Sequence, residues 1–148
     1  MINKNNIFGL FENNGKEVNV HDIVSAPDDF LESPVAKLGM FTKLISNHEI
    51  FHQKLSKFLK QEKSIVDIQE TKEASAFSVF NRAWFYINKI DLEDKESYYA
   101  LLDFKTAPLV GALDKAISYF ESLEEYEKCA RLLEIKKFKE ALEKDLEI

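Results

Sequence analysis

The chain of 148 residues carries a formal charge of −6, with 45% hydrophobic and 31% charged residues. That balance excludes a disordered polymer, and one domain of this length can bury a core without staples. A single cysteine, Cys129, excludes an internal disulfide or a multi-cysteine zinc site. No run of eighteen apolar residues is present to span a membrane, and MINKNNIFGLFENN lacks the continuous apolar region of a signal peptide, so a cytoplasmic protein with no membrane partner is expected.

The charge is uneven. Residues 1–33 sum to −4, from two lysines against six acids, and residues 34–63 sum to +4, from six lysines against two acids. The acidic total argues against general nucleic-acid binding, and the basic segment is built of lysine, the weaker residue for planar phosphate recognition.

Residues 1–33 read as a separate N-terminal region. Ile7-Phe8, Leu10-Phe11, Val18, Val20 and Ile23 flank Asn13-Asn14-Gly15-Lys16, the pattern of a small β-hairpin around an Asn-Gly turn or of an extended arm. Asp28, Asp29 and Glu32 then form an acidic loop. Residues 34–148 read as one helical domain. Ser33-Pro34 is a hydroxyl cap followed by proline at the first helical position, and that helix is expected to reach about Gln61. Leu38, Phe41, Ile45, His48, His52, Leu55 and Leu59 form its buried stripe, widened by Leu44, Phe51 and Phe58. Lys43, Lys54, Lys57 and Lys60 take the far side.

Ser64 and Asp67 signal the next start. In Ala74–Ile90, Phe77, Phe80, Trp84 and Ile87 make one apolar row and Ala76, Val79, Ala83, Tyr86 and Ile90 a second. A helix apolar on two sides is expected to run through the middle of a bundle. Asp91–Asp94 breaks it. A short helix follows over Lys95–Phe104, and Thr106 before Ala107-Pro108 opens another by the same cap-then-proline logic. No glycine or proline occurs from Ala112 onward. The apolar pattern nonetheless restarts at Tyr126, which favours a helical hairpin cornering near Ser122–Glu125 over one long helix.

Tyr119–Phe138, YFESLEEYEKCARLLEIKKF, resembles two kinds of helical hairpin. Phe120, Leu123, Tyr126 and Cys129 match places in a tetratricopeptide unit. Tyr126, Glu127, Cys129, Ala130, Arg131 and Leu132 are similar to the UVR motif of bacterial excision-repair subunits, although Leu133-Glu134 replaces the arginine-aspartate pair usual there. Only one clear unit is found, with an echo at Lys137-Phe138-Lys139-Glu140-Ala141-Leu142. The resemblance implies a helix–turn–helix packing unit of a kind that binds other proteins.

One motif carries chemistry. His48-Glu49-Ile50-Phe51-His52 spells H-E-x-x-H, in which two imidazoles one helical turn apart can share a zinc ion while the glutamate activates its water. Glu70 or Glu73 would be the third ligand, with His21 a more distant candidate. The competing reading keeps His48 and His52 as hydrogen-bonded core residues, because they continue the stripe of Ile45 and Leu55. Cys129, on an apolar face, reads as inert, and Tyr98-Tyr99 could line an apolar pocket.

The sequence thus predicts a mainly α protein, a four- to five-helix bundle with a small N-terminal hairpin or arm. Its expected function is non-enzymatic: a protein–protein interaction, adaptor or structural role, with a protein partner or a second copy bound and no cofactor. Phe120, Leu123, Tyr126, Leu133, Phe138 and Leu142 are the candidate interaction residues, because the last 37 residues carry more apolar residues than one buried stripe needs. Residues 134–148 are on this view dispensable for folding. The alternatives are a zinc-binding protein or small zinc hydrolase, with Glu49 catalytic, and a nucleic-acid-associated protein using the lysine face.

Overall fold

The computed structural model describes residues 30–61 and 68–147, and the expected N-terminal hairpin lies outside them. The chain divides between Ser33 and Pro34 into two units. Of the first, only Phe30–Ser33 is described: a turn closed by the Ser33 N–H donating to the Phe30 carbonyl at 3.0 Å. The second unit is mainly helical, with no strand among the described residues. Its helices are α1 (Pro34–Gln61), α2 (Ile68–Ile87), α3 (Lys95–Asp103), α4 (Thr106–Ser122) and α5 (Tyr126–Leu146).

α1 packs against α2, α3 and α4, and α4 packs against α1 and α5. On α4, Leu109, Ala112, Leu113, Ala116 and Phe120 recur at three- and four-residue steps and are all buried, the pattern of a helix covered along one broad face. α1 packs beside it through Leu38, Phe41 and Ile45, and α5 through Leu132, Ile135 and Leu142. The buried Thr42 hydroxyl on α1 donates to the Leu38 carbonyl at 2.8 Å, so no polar atom is stranded there.

The expectation that Ala74–Ile90 runs through the middle is corrected. α2 buries one face only, Ala76, Phe80, Ala83 and Ile87, while Phe77 and Phe85 stand 64% and 56% exposed. Its alanines let α1 approach closely, and α1 and α2 form the most extensive helix pair. The aromatic row lies at the bundle's edge instead. Phe80 stacks on Tyr119, and Trp84 packs edge-on against Phe120 at 6.0 Å while remaining half-buried. Phe51 and Phe58, expected to widen the buried stripe of α1, are exposed as well.

Side chains, local and distant, satisfy several helix ends. Asp94 caps α3: its Oδ2 accepts the Ser97 N–H at 3.0 Å and the Ser97 hydroxyl at 3.2 Å. Thr106 is the first residue of α4, not its cap. Lys105 holds the cap position and makes no side-chain capping bond. At the other ends, α5 supplies two cations. Arg131 donates to the Ile90 carbonyl just beyond α2, and the buried Lys139 donates to the carbonyls of Leu101, Leu102 and Phe104 at the end of α3. The Leu101 and Leu102 carbonyls lie in the last turn of α3, where they have no partner inside the helix and carry the negative end of its dipole, and those of Ile90 and Phe104 lie just past a helix end.

The hairpin joining α4 and α5 is as expected. The Glu124 N–H bonds to the Glu121 carbonyl at 3.0 Å and the Glu125 N–H to the Phe120 carbonyl at 2.9 Å. This is the Schellman pairing, which requires a left-handed residue between. Glu124 takes it, at φ 59°. Within residues 134–148, Ile135, Lys139 and Leu142 are all buried, which counts against the expectation that the segment is dispensable for folding.

Candidate functional site

The H-E-x-x-H spacing places His48 and His52 one turn apart on α1, with ring centroids 4.4 Å apart. Both turn toward α2 and meet one hydroxyl. His52 Nε2 lies 2.6 Å from Ser75 Oγ, and His48 Nε2 lies 3.3 Å from it. The hydroxyl has one proton, and the carbonyls of Thr71 and Lys72, at 2.9 and 3.1 Å, are positioned to take it. The network therefore assigns Ser75 Oγ as acceptor and the two Nε2 atoms as donors. His52 is 4% exposed, and its Nδ1 has no hydrogen bond among the described residues. Burial, then the neighbouring His52 and Lys72, holds His48 below the ordinary imidazole range.

The sequence-derived zinc set is not gathered. Glu49 forms an ion pair with Lys115 of α4. Glu70 and Glu73 are exposed on α2, and Glu73 accepts from the Gln69 amide at 3.0 Å. His21 lies outside the described residues. Among the described residues, no three of His, Cys, Asp and Glu come together as a metal set. Zinc at this point would need lone pairs from both Nε2 atoms, and so would displace the Ser75 hydroxyl that both now serve.

These side chains edge a cleft of about 770 Å³ between α1, α2 and α4. Ile45, Ala76, Phe80 and Tyr119 make its apolar surface, where the Phe80 and Tyr119 rings stack with centroids 4.4 Å apart and planes 12° from parallel. Lys72, Asp114, Lys115 and Ser118 stand on its polar side. Ser75, Lys72 and Lys115 were invisible to motif reading. Lys115 lies 66 residues from Glu49 in sequence, and nothing local marks such a partner.

No known protein family, curated protein or solved structure matches this chain. Its chemistry rests on its own geometry.

The candidate interaction residues divide. Phe120 is wholly buried, Leu142 is 7% exposed, and Phe138 is half-buried against Tyr98. These three pack the core. Leu123, Tyr126 and Leu133 are 45%, 62% and 40% exposed. Tyr126 and Leu133 are seven residues apart, hence on one stripe of α5. Ala130 and Ala141, both exposed, continue that stripe, with Lys137 between them. It runs along the side opposite Leu132, Ile135, Lys139 and Leu142. Cys129 is half-buried beside α4, with its sulfur 3.5 Å from the Ile117 carbonyl, and burial and Glu121 raise its thiol pKa, which disfavours nucleophilic use. Tyr98 and Tyr99 lie on the surface, 39% and 52% exposed.

Proposed function

We propose that this is a non-enzymatic interaction protein whose α5 seats a second helix along its outer stripe. The observation that carries the reading is a helix with apolar residues on two opposite sides. One side is covered by the bundle, and the other is open at Tyr126, Ala130, Leu133 and Ala141. A surface helix needs only one apolar face. Small residues between larger ones let a partner helix approach, and the resemblance of Tyr119–Phe138 to protein-binding helical hairpins points the same way.

The charges beside the stripe favour a second copy of the chain. Exposed Glu127 and Glu134 flank its first half, and exposed Lys137 and Lys144 lie along its second, with exposed Asp145 beside them. Two such helices set antiparallel about a twofold axis bring acid opposite base at both ends, as a self-complementary contact requires. Sedimentation equilibrium tests this. The full chain dimerises with concentration, and Leu133→Lys, at a position 40% exposed in the monomer, gives a folded monomer. A wild-type monomer throughout overturns self-pairing. Capture of another helical protein by the wild type, lost in Leu133→Lys, would transfer the same surface to a different partner.

A second reading has one specific observation behind it. On the outer side of α1, the exposed Ile50, Phe51 and Phe58 lie among exposed Lys43, Lys54, Lys57 and Lys60. Aromatics among lysines suit stacked bases on a single-stranded nucleic acid. Binding that falls steeply with salt, and is lost in a Phe51→Ala/Phe58→Ala double variant, is the expected result for that reading; no salt-dependent binding ends it.

A further inference from the structure

The cleft between α1, α2 and α4 has a feature that packing does not explain. Gly111 sits in the middle of α4 and on the cleft wall, where a Cβ would meet nothing within 4 Å. Glycine inside a helix costs about 1 kcal/mol relative to alanine, and here no close neighbour accounts for it. What the missing side chain provides is room. The volume, about 770 Å³, falls within the range of small-molecule sites.

The surface of that room is specific. The stacked Phe80 and Tyr119 rings put aromatic surface beside Ile45 and Ala76. The rim carries two acids and two lysines, and their pairing leaves Lys72 out. Glu49 is paired with Lys115, and Asp114 with Lys136 at 2.7 Å. Lys72 makes no ion pair among the described residues, so one cation is left over beside two imidazoles that donate from Nε2. An apolar cleft with an unmatched ammonium at its edge is complementary to an amphipathic anion.

We propose that this cleft binds a small organic carboxylate with a flat apolar body, an aryl carboxylate in the simplest case. The ring system lies in the room beside Gly111 against Phe80 and Tyr119, and the carboxylate faces Lys72. No covalent step is involved. The site is independent of the outer stripe of α5, so either can fail without the other.

The probe is 1-naphthoate, titrated into the full chain by calorimetry, with neutral 1-naphthalenemethanol alongside. Saturable binding of one naphthoate per chain is expected, at least fivefold tighter than the alcohol. Lys72→Gln, at an exposed position that leaves the core untouched, reduces the naphthoate affinity about fivefold and brings it to that of the alcohol, about 1 kcal/mol of lost charge pairing. Gly111→Leu fills the cleft and abolishes binding of both, with helix content retained. Absence of saturable binding, or equal affinity for acid and alcohol, overturns the proposal. So does binding unchanged in both variants, which would place naphthoate elsewhere on the protein.

Discussion

Replacing Lys139 by methionine should be among the most damaging single changes in α5, although a charge would be traded for a hydrophobe of similar length. Lys139 is 2% exposed, and its ammonium donates to the carbonyls of Leu101, Leu102 and Phe104, the last two at 3.4 and 2.7 Å. Burial lowers its pKa, while Glu143 and Asp103 oppose that shift, so the charge is held at a desolvation cost. Methionine removes that cost but strands the carbonyls at the end of α3. A buried acceptor left without a donor costs about 1–3 kcal/mol, and bonds to charged groups lie at the upper end. The Leu101 carbonyl belongs to a residue with no exposure, whereas Leu102 and Phe104 are half-buried and can recruit water. Counting the first fully and the others in part gives a net loss of about 2–4 kcal/mol, or a fall in Tm of roughly 5–15 °C for a chain of this size. Thermal unfolding followed by circular dichroism measures it. A Lys139→Met variant as stable as the wild type, or more so, would show that the buried charge costs more than its hydrogen bonds return, and the capping role of Lys139 would fall.

Glu124→Gly relieves a left-handed non-glycine residue in the α4–α5 corner and should stabilise by about 0.5–1 kcal/mol; a loss of stability in denaturant titration would mean that the Glu124 side chain has a role of its own. Gly39→Ala, on α1 where a Cβ meets nothing within 4 Å, should stabilise by about 0.5–1 kcal/mol by the same measurement, and a loss would refute the open space beside it. Because the folded-state pKa of His48 is depressed, its contribution to stability is complete above the ordinary imidazole value of about 6.5 and lost as pH falls through the folded value. Melting curves taken from about pH 7.5 down to about pH 5.5, a window spanning that value, should therefore fall less steeply for His48→Gln than for the wild type, and parallel slopes would refute the assignment.

Much of the helical layout was legible, and the reasons are local. Pro34 at a first helical position, the Asp91–Asp94 break and the restart of the apolar pattern at Tyr126 each mark an end through backbone chemistry, and the helices begin or stop within a few residues of those marks. Which helix lies innermost was not legible. Phe77, Phe80, Trp84 and Ile87 carry more apolar bulk than any row of α1, yet α1 is the helix that meets three others and Phe77 is left outside. Periodicity tells which side of a helix is apolar, not how many neighbours will cover it.

The site was legible only in part. The spacing of His48 and His52 correctly put both on one side of α1. Their meeting at Ser75, and the pairing of Glu49 with Lys115, depend on tertiary approach that no short pattern encodes. Lys139 is the clearest case of what was missed. A lysine in a charged C-terminal helix reads as a solvated face, and only the end of α3 beneath it makes its burial possible.

The central claim, that the outer stripe of α5 is a contact surface, is tested most directly by sedimentation equilibrium of the full chain beside Leu133→Lys, with circular dichroism confirming that both are folded. A concentration-dependent dimer for the wild type and a monomer for the variant are the predicted results. A wild type that stays monomeric at every concentration, or a variant that dimerises equally well, would contradict the claim.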